Sequence, residues 1–125
     1  MMDLVHLATK GDLESEGDIS VQLPDRKISQ VHVRLQMSRV PLSNPITGLM
    51  VKPLGVLLLV VPKGDRRKGI ATRILQLLRE AAAAVGIGAV RVMAVDDPKG
   101  GMVPLLQKLN AVKKPFSTNW WLPSV

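Results

Sequence analysis

The stretch Leu57-Leu-Leu-Val-Val-Pro-Lys-Gly-Asp-Arg-Arg-Lys-Gly-Ile-Ala71 decides how this chain reads. Leu54 to Val61 is a continuous apolar run with β-branched residues toward its end, the pattern of a strand buried on both faces. Pro62-Lys-Gly-Asp65 breaks it. Ile70, Ile74, Leu77, Leu78, Ala81 and Val85 then recur at helical spacing. Ala71, Leu75 and Ala82 widen the stripe, and Gly86 is a natural stop. Between strand and helix stand three consecutive cations, Arg66, Arg67 and Lys68. A helix N-terminus already carries roughly half a positive charge from its unpaired N–H groups, so each added cation costs about a few tenths of a kcal/mol. A local conflict of this kind marks a functional site. An anion held jointly by backbone N–H groups and basic side chains resolves it. Gly69 lets the backbone approach such a ligand, and Ala71 keeps the next turn small. A solvated basic loop is the alternative reading. The spacing matches neither the P-loop nor the G-x-G-x-x-G fingerprint.

Working outward, Ala89 to Val95 is a second apolar strand, Asp96-Asp-Pro-Lys-Gly-Gly101 a turn, and Val103 to Leu109 a short helix with Pro104 in its first turn. Val112 to Trp121 reads as an edge strand or hairpin. Upstream, Ile28 to Val40 alternates: Val31, Val33, Leu35 and Met37 take one face, and Gln30, His32, Arg34, Gln36 and Ser38 the other. Pro41, Ser43, Asn44, Pro45 and Gly48 punctuate a loop. Asp3 to Ala8 is a candidate first strand, and Thr9 to Asp12 a turn into a short helix or loop. Gly11 to Asp18 is acidic and lacks a helical stripe. Strand, basic loop, helix, strand, helix, strand is an α/β order with one right-handed crossover as its hub.

Composition narrows the function. The 125 residues suit one domain with one core. With no cysteine, a disulfide scaffold, a thiolate zinc site and a cysteine nucleophile are excluded. Two histidines make a histidine-rich metal site improbable, so no metal is expected. No run reaches the ~18 apolar residues of a membrane helix. The acidic N-terminus does not read as a signal peptide, and a cytoplasmic location is expected. Residues 1–62 carry six charges of each sign, so the whole net charge of +7 lies in residues 63–125. Such asymmetry points to an anionic partner. Aromatics are only 2%, too few for a base-stacking platform, so nucleic acid is not the expected partner.

Arg66-Arg-Lys-Gly-Ile-Ala71 behind an apolar strand resembles the acyl-CoA pyrophosphate motif, Gln/Arg-x-x-Gly-x-Gly/Ala, of the GNAT N-acetyltransferase superfamily. The long helix to Val85, the strand Ala89 to Val95 and the ending Leu105-Leu-Gln-Lys-Leu109 are similar to that family's order. The resemblance covers residues 54–112. It implies an α/β fold with a mixed, mostly antiparallel sheet, its central strands splayed and flanked by helices, in a single domain spanning residues 1–125. It implies acetyl-CoA (coenzyme A) as cofactor, with Leu59, Val60 and Val61 along the pantetheine arm. Backbone N–H groups of Arg67, Lys68, Gly69, Ile70, Ala71 and Thr72 would face the pyrophosphate. Arg66 matches the first motif position, and Arg67 and Lys68 add charge. A backbone N–H of Val60 or Val61 would polarise the thioester carbonyl. The implied activity is direct acetyl transfer to a primary amine of a small molecule or protein.

The chain departs from the family pattern at several places. Pro62 stands four residues before Arg66, one more than usual. Leu106 occupies the position of the family's tyrosine acid, and the chain has no tyrosine. Asn110-Ala111 replaces the closing Gly-Phe, and only about 55 residues precede the cofactor strand. These departures keep a second reading open, a GNAT-like module that binds acyl-CoA without turnover. A basic nucleic-acid-binding domain is the third. His32, Asp96 and Asp97 are the candidate general bases by strand position. An ordinary surface histidine and a turn signal are the alternative readings of the same residues. Lys113 and Lys114 read as a solvated end. Trp120 and Trp121 are expected in the core or at a homodimer contact.

Overall fold

The computed structural model describes residues 14–62, 64, 69–93 and 102–123. Strands β1 (Glu14–Gln22) and β2 (Ile28–Met37) form an antiparallel hairpin. Its turn is closed by Leu23 N–H donating to the Lys27 carbonyl at 2.8 Å. On β2 the alternation is as expected: Val31, Val33 and Leu35 are fully buried. Strand β1 corrects the expectation of a turn and loop before Asp18. Its outward positions are Glu16, Asp18, Ser20 and Gln22. Its inward positions are Ser15, Gly17, Ile19 and Val21, so only two sizeable apolar side chains mark the buried face. The candidate strand Asp3 to Ala8 lies outside the described residues.

The loop after β2 holds a small hairpin of β3 (Leu42–Ser43) and β4 (Met50–Val51). Strand β5 (Leu54–Val60) leads to helix α1 (Ile70–Ala84), which returns the chain to β6 (Val90–Val92). The helix ends where expected, with Gly86 at φ 83° just past its C-cap, Val85. Helix α2 (Met102–Lys108) follows, then β7 (Val112–Lys113) and β8 (Trp120–Leu122). The expected C-terminal hairpin is present, with β8 inserted between β6 and the edge strand β7. The six-stranded order is β1-β2-β5-β6-β8-β7; β5 and β6 are parallel and every other pair is antiparallel.

One face of this sheet carries the core. Val31, Val33, Leu35, Leu54, Val56, Val90, Val92 and Leu122 meet Ile74, Leu75 and Leu78 of α1 and Leu106 of α2. Each such side chain contributes about 1.5–3 kcal/mol on burial. Trp120 joins this cluster, whereas Trp121 is buried on the opposite face.

The expectation that Leu54 to Val61 is buried on both faces holds only for its first half. Leu35 pairs with Val56 but Arg34 pairs with Leu58, so β5 carries one extra residue, Leu57, at a bulge. Beyond it, Leu59 lies opposite buried Val33, while Leu58 and Val60 lie opposite Arg34 and His32 on the outer face. They are 38% and 42% exposed. An apolar run fixes the composition of both faces but does not say that both are covered.

Candidate functional site

The central feature is a fork between β5 and β6. Among the described residues the two strands pair from Leu54↔Val90 to Val56↔Val92, and the last described bond between them is Met93 N–H to the Val56 carbonyl at 3.0 Å. Strand β5 continues to Val60 along β2. Leu54 N–H donates to the Ala89 carbonyl, so Leu54 directs its amide toward β6 and Gly55 toward β2. Counting on past the bulge along the β2 register, Leu58 and Val60 turn their peptide groups to β2. Leu59 and Val61 turn theirs away from β2. Of the two expected carbonyl-polarising residues, Val61 therefore points away from β2 and Val60 toward it.

Helix α1 is the next element after β5. Gly69 is its N-cap, left-handed at φ 75° and ψ 10°, with no side-chain cap and no acidic residue in the first turn. The first helical bond is Arg73 N–H to the Gly69 carbonyl at 3.1 Å. The amides of Ile70, Ala71 and Thr72 thus point out of the helix end without an intrahelical acceptor. Unpaired first-turn amides of this kind favour an anion. Arg66, Arg67 and Lys68 lie outside the described residues, as do Asp96 and Asp97.

His32 lies on the outer face of β2, opposite Val60. Its Nδ1 is 2.8 Å from Asp18 Oδ1 and its Nε2 is 2.5 Å from Glu16 Oε1. Glu16 also accepts from Arg34 at 3.3 Å. Carboxylates only accept, so a ring engaged by two of them donates through both nitrogens and is an imidazolium. The bond from Glu16, then that from Asp18, holds the His32 pKa above its ordinary value. The bond from His32 holds the Glu16 carboxyl below its own. In this state His32 has no lone pair to take a proton. It clasps β1 to β2.

Sequence reading did not single out Gly55, Arg91 or Met93. On the outer face Gly55 lies opposite Arg91, and Arg91 opposite Trp121. A side chain at Gly55 would occupy the space of the Met93 thioether. The Arg91 guanidinium lies 5.6 Å from the centre of the Trp121 ring. Leu106, at the position where the family pattern places tyrosine, is fully buried in the core. A separate cleft of about 320 Å³, lined by Arg79, Ile87, Ala89, Leu122 and Pro123, lies at the far end of α1 from Gly69. Among the described residues no cluster of three acidic or histidine side chains is placed to hold a metal, and no helix is long and apolar enough to cross a membrane.

No protein-family model and no curated protein sequence matches the chain. Solved structures do. It is similar to AtaTR bound with acetyl-CoA (14% identity, TM-score 0.56, 98% of this chain and 76% of that chain covered). It is similar to AtaT complexed with acetyl-methionyl-tRNAfMet (13%, 0.58, 96% and 76%). It also resembles a mutant of the BH1408 protein from Bacillus halodurans (19%, 0.60, 97% and 72%). The fold is GNAT-like: a mixed, mostly antiparallel sheet with helices, as the motif implied.

Proposed function

We propose that this protein is an acetyl-CoA-dependent N-acetyltransferase that passes the acetyl group directly to a primary amine. The observation that carries the reading is the fork. Among the described residues a seven-residue strand is paired to its parallel neighbour over its first three residues, and the next element is a helix whose N-terminus has no side-chain cap. The GNAT-like fold and the structures of similar proteins bound to acetyl-CoA and to an acetylated methionyl-tRNA support it.

Acetyl-CoA fits the residues present. Its diphosphate suits the outward amides of Ile70, Ala71 and Thr72, next in sequence to Arg66, Arg67 and Lys68. Its amide-bearing arm suits the Leu59 peptide group, which turns away from β2. When bound it supplies an activated thioester carbonyl. The chain's part is positional: an N–H on the open edge stabilises negative charge developing on the carbonyl oxygen as the amine attacks. With Leu106 buried and no tyrosine in the chain, the thiolate leaves unprotonated or takes its proton from water.

Acetyl-CoA should raise the melting temperature, because a ligand that binds only the folded state stabilises it. The double variant Arg66→Glu, Lys68→Glu should lose that shift. Thiol release with a panel of amines then tests turnover. A thermal shift without thiol release would favour the second reading, a binding module without catalysis, for which buried Leu106 in place of a tyrosine is the specific observation. Absence of any shift overturns both.

A further inference from the structure

Among the described residues Arg91 is a cation without an anion. Its guanidinium rests against the Trp121 ring at 5.6 Å, and one terminal nitrogen lies 3.9 Å from the Met93 thioether. Its Nε is shielded from solvent and has no hydrogen-bond partner. Among the described residues no carboxylate pairs with it. Glu16 and Asp18, on the same face, are taken up by His32 and Arg34. Burial alone depresses its pKa. Desolvating a guanidinium without a counter-charge is costly, and an aromatic face with a thioether offsets only part of that cost.

Its place gives the cation a use. Arg91 projects from the outer face opposite Gly55, which has no side chain to block it, and reaches toward Met93. Met93 marks the last bond before the fork. Beyond it on the same face lie the half-exposed Leu58 and Val60. The outer face thus runs from a fixed guanidinium, across an apolar strip, to the open peptide edge at Leu59. At about 3.3 Å per residue along β5, cation and edge are separated by on the order of 10 Å.

We propose that Arg91 is a specificity residue of the acceptor site, binding an oxyanion group of an amine whose reactive nitrogen is separated from that group by an apolar spacer of several carbons. The oxyanion is a carboxylate or a phosphate, both matched by the guanidinium fork. This inference rests on the acetyltransferase reading for the word acceptor, but its binding test does not require turnover.

The test is calorimetric titration of the protein, with coenzyme A present, by 6-aminohexanoate, 6-aminohexyl phosphate and hexylamine. Binding of at least one anionic amine should be tenfold or more tighter than that of hexylamine. Whichever of the two binds tighter identifies the oxyanion. Arg91→Met keeps the apolar contact with Trp121 and should bring the anionic-to-neutral ratio near one, while Arg91→Lys should retain part of it. Circular dichroism of both variants checks the fold. Equal affinity for all three amines in the wild type, or a ratio unchanged in folded Arg91→Met, overturns the proposal. Loss of the acetyl-CoA thermal shift with anion selectivity intact would instead count against the acetyltransferase reading.

Discussion

His32 and Glu16 meet across the β1–β2 ladder, Nε2 2.5 Å from Oε1, although the register sets Arg34 rather than His32 opposite Glu16. The diagonal contact, with Asp18 closing the other side of the ring, makes the pairing of β1 dependent on proton occupancy. The His32 pKa is raised from 6.5, so its contribution is complete below that value and is lost as pH rises through the raised value. The Glu16 pKa is lowered from 4.5, so its contribution is present above that value and is lost as pH falls through the lowered one. The melting-temperature difference between wild type and His32→Gln should be greatest between these two ordinary values and should fade toward alkaline pH. A difference independent of pH would refute the clasp.

Gly55→Ala should destabilise the fold by about 1–3 kcal/mol, the usual range for overpacking. A Cβ there would stand 2.5 Å from the Met93 sulfur and 3.2 Å from the Gln36 carbonyl oxygen. The thioether can swing away, but the carbonyl belongs to the β2 backbone. Met93→Ala should therefore recover only part of the loss, as urea denaturation of the two single variants and the double variant will show.

Gly69→Ala isolates a different cost. Among the described residues nothing lies within 4 Å of its would-be side chain, so the penalty comes from the left-handed backbone at φ 75°. For an alanine that is about 1–2 kcal/mol. Gly69→Asn should cost less, since asparagine tolerates this region. Because relieving the strain would redirect the Ile70–Thr72 amides, the alanine variant should also show a smaller thermal shift with acetyl-CoA.

Leu58→Ser and Val56→Ser test the bulge. Val56 is 1% exposed and Leu58 38%, although the two residues stand in one apolar run. Val56→Ser buries a hydroxyl and opens a cavity, at about 2–4 kcal/mol. Leu58→Ser should cost under about 1 kcal/mol. Equal losses would place Leu58 on the core side and remove the bulge.

Much of the fold was legible because its signals are local and strong. The period of Ile70, Ile74 and Leu78 specified the helix, and Gly86 its end. The alternation of Val31, Val33 and Leu35 specified β2. Strand β1 was not legible: glycine and serine share its inner face with Ile19 and Val21, so its period of two carries little contrast. At the site, the small residues Gly69 and Ala71 marked the helix entrance. Arg91 left no mark, since one arginine in an apolar strand looks like a solvated edge until its neighbours are known.

The linear chain by itself determined that an apolar strand would run through a basic loop into a long amphipathic helix, because hydrophobic period and turn chemistry act over a few residues. Tertiary structure alone decided that the described pairing of β5 with β6 ends at Val56, that a bulge at Leu57 turns Leu58 and Val60 outward, and that Arg91 lies on Trp121. Each depends on strand register, which is set by contacts between residues tens of positions apart, and no local pattern encodes it.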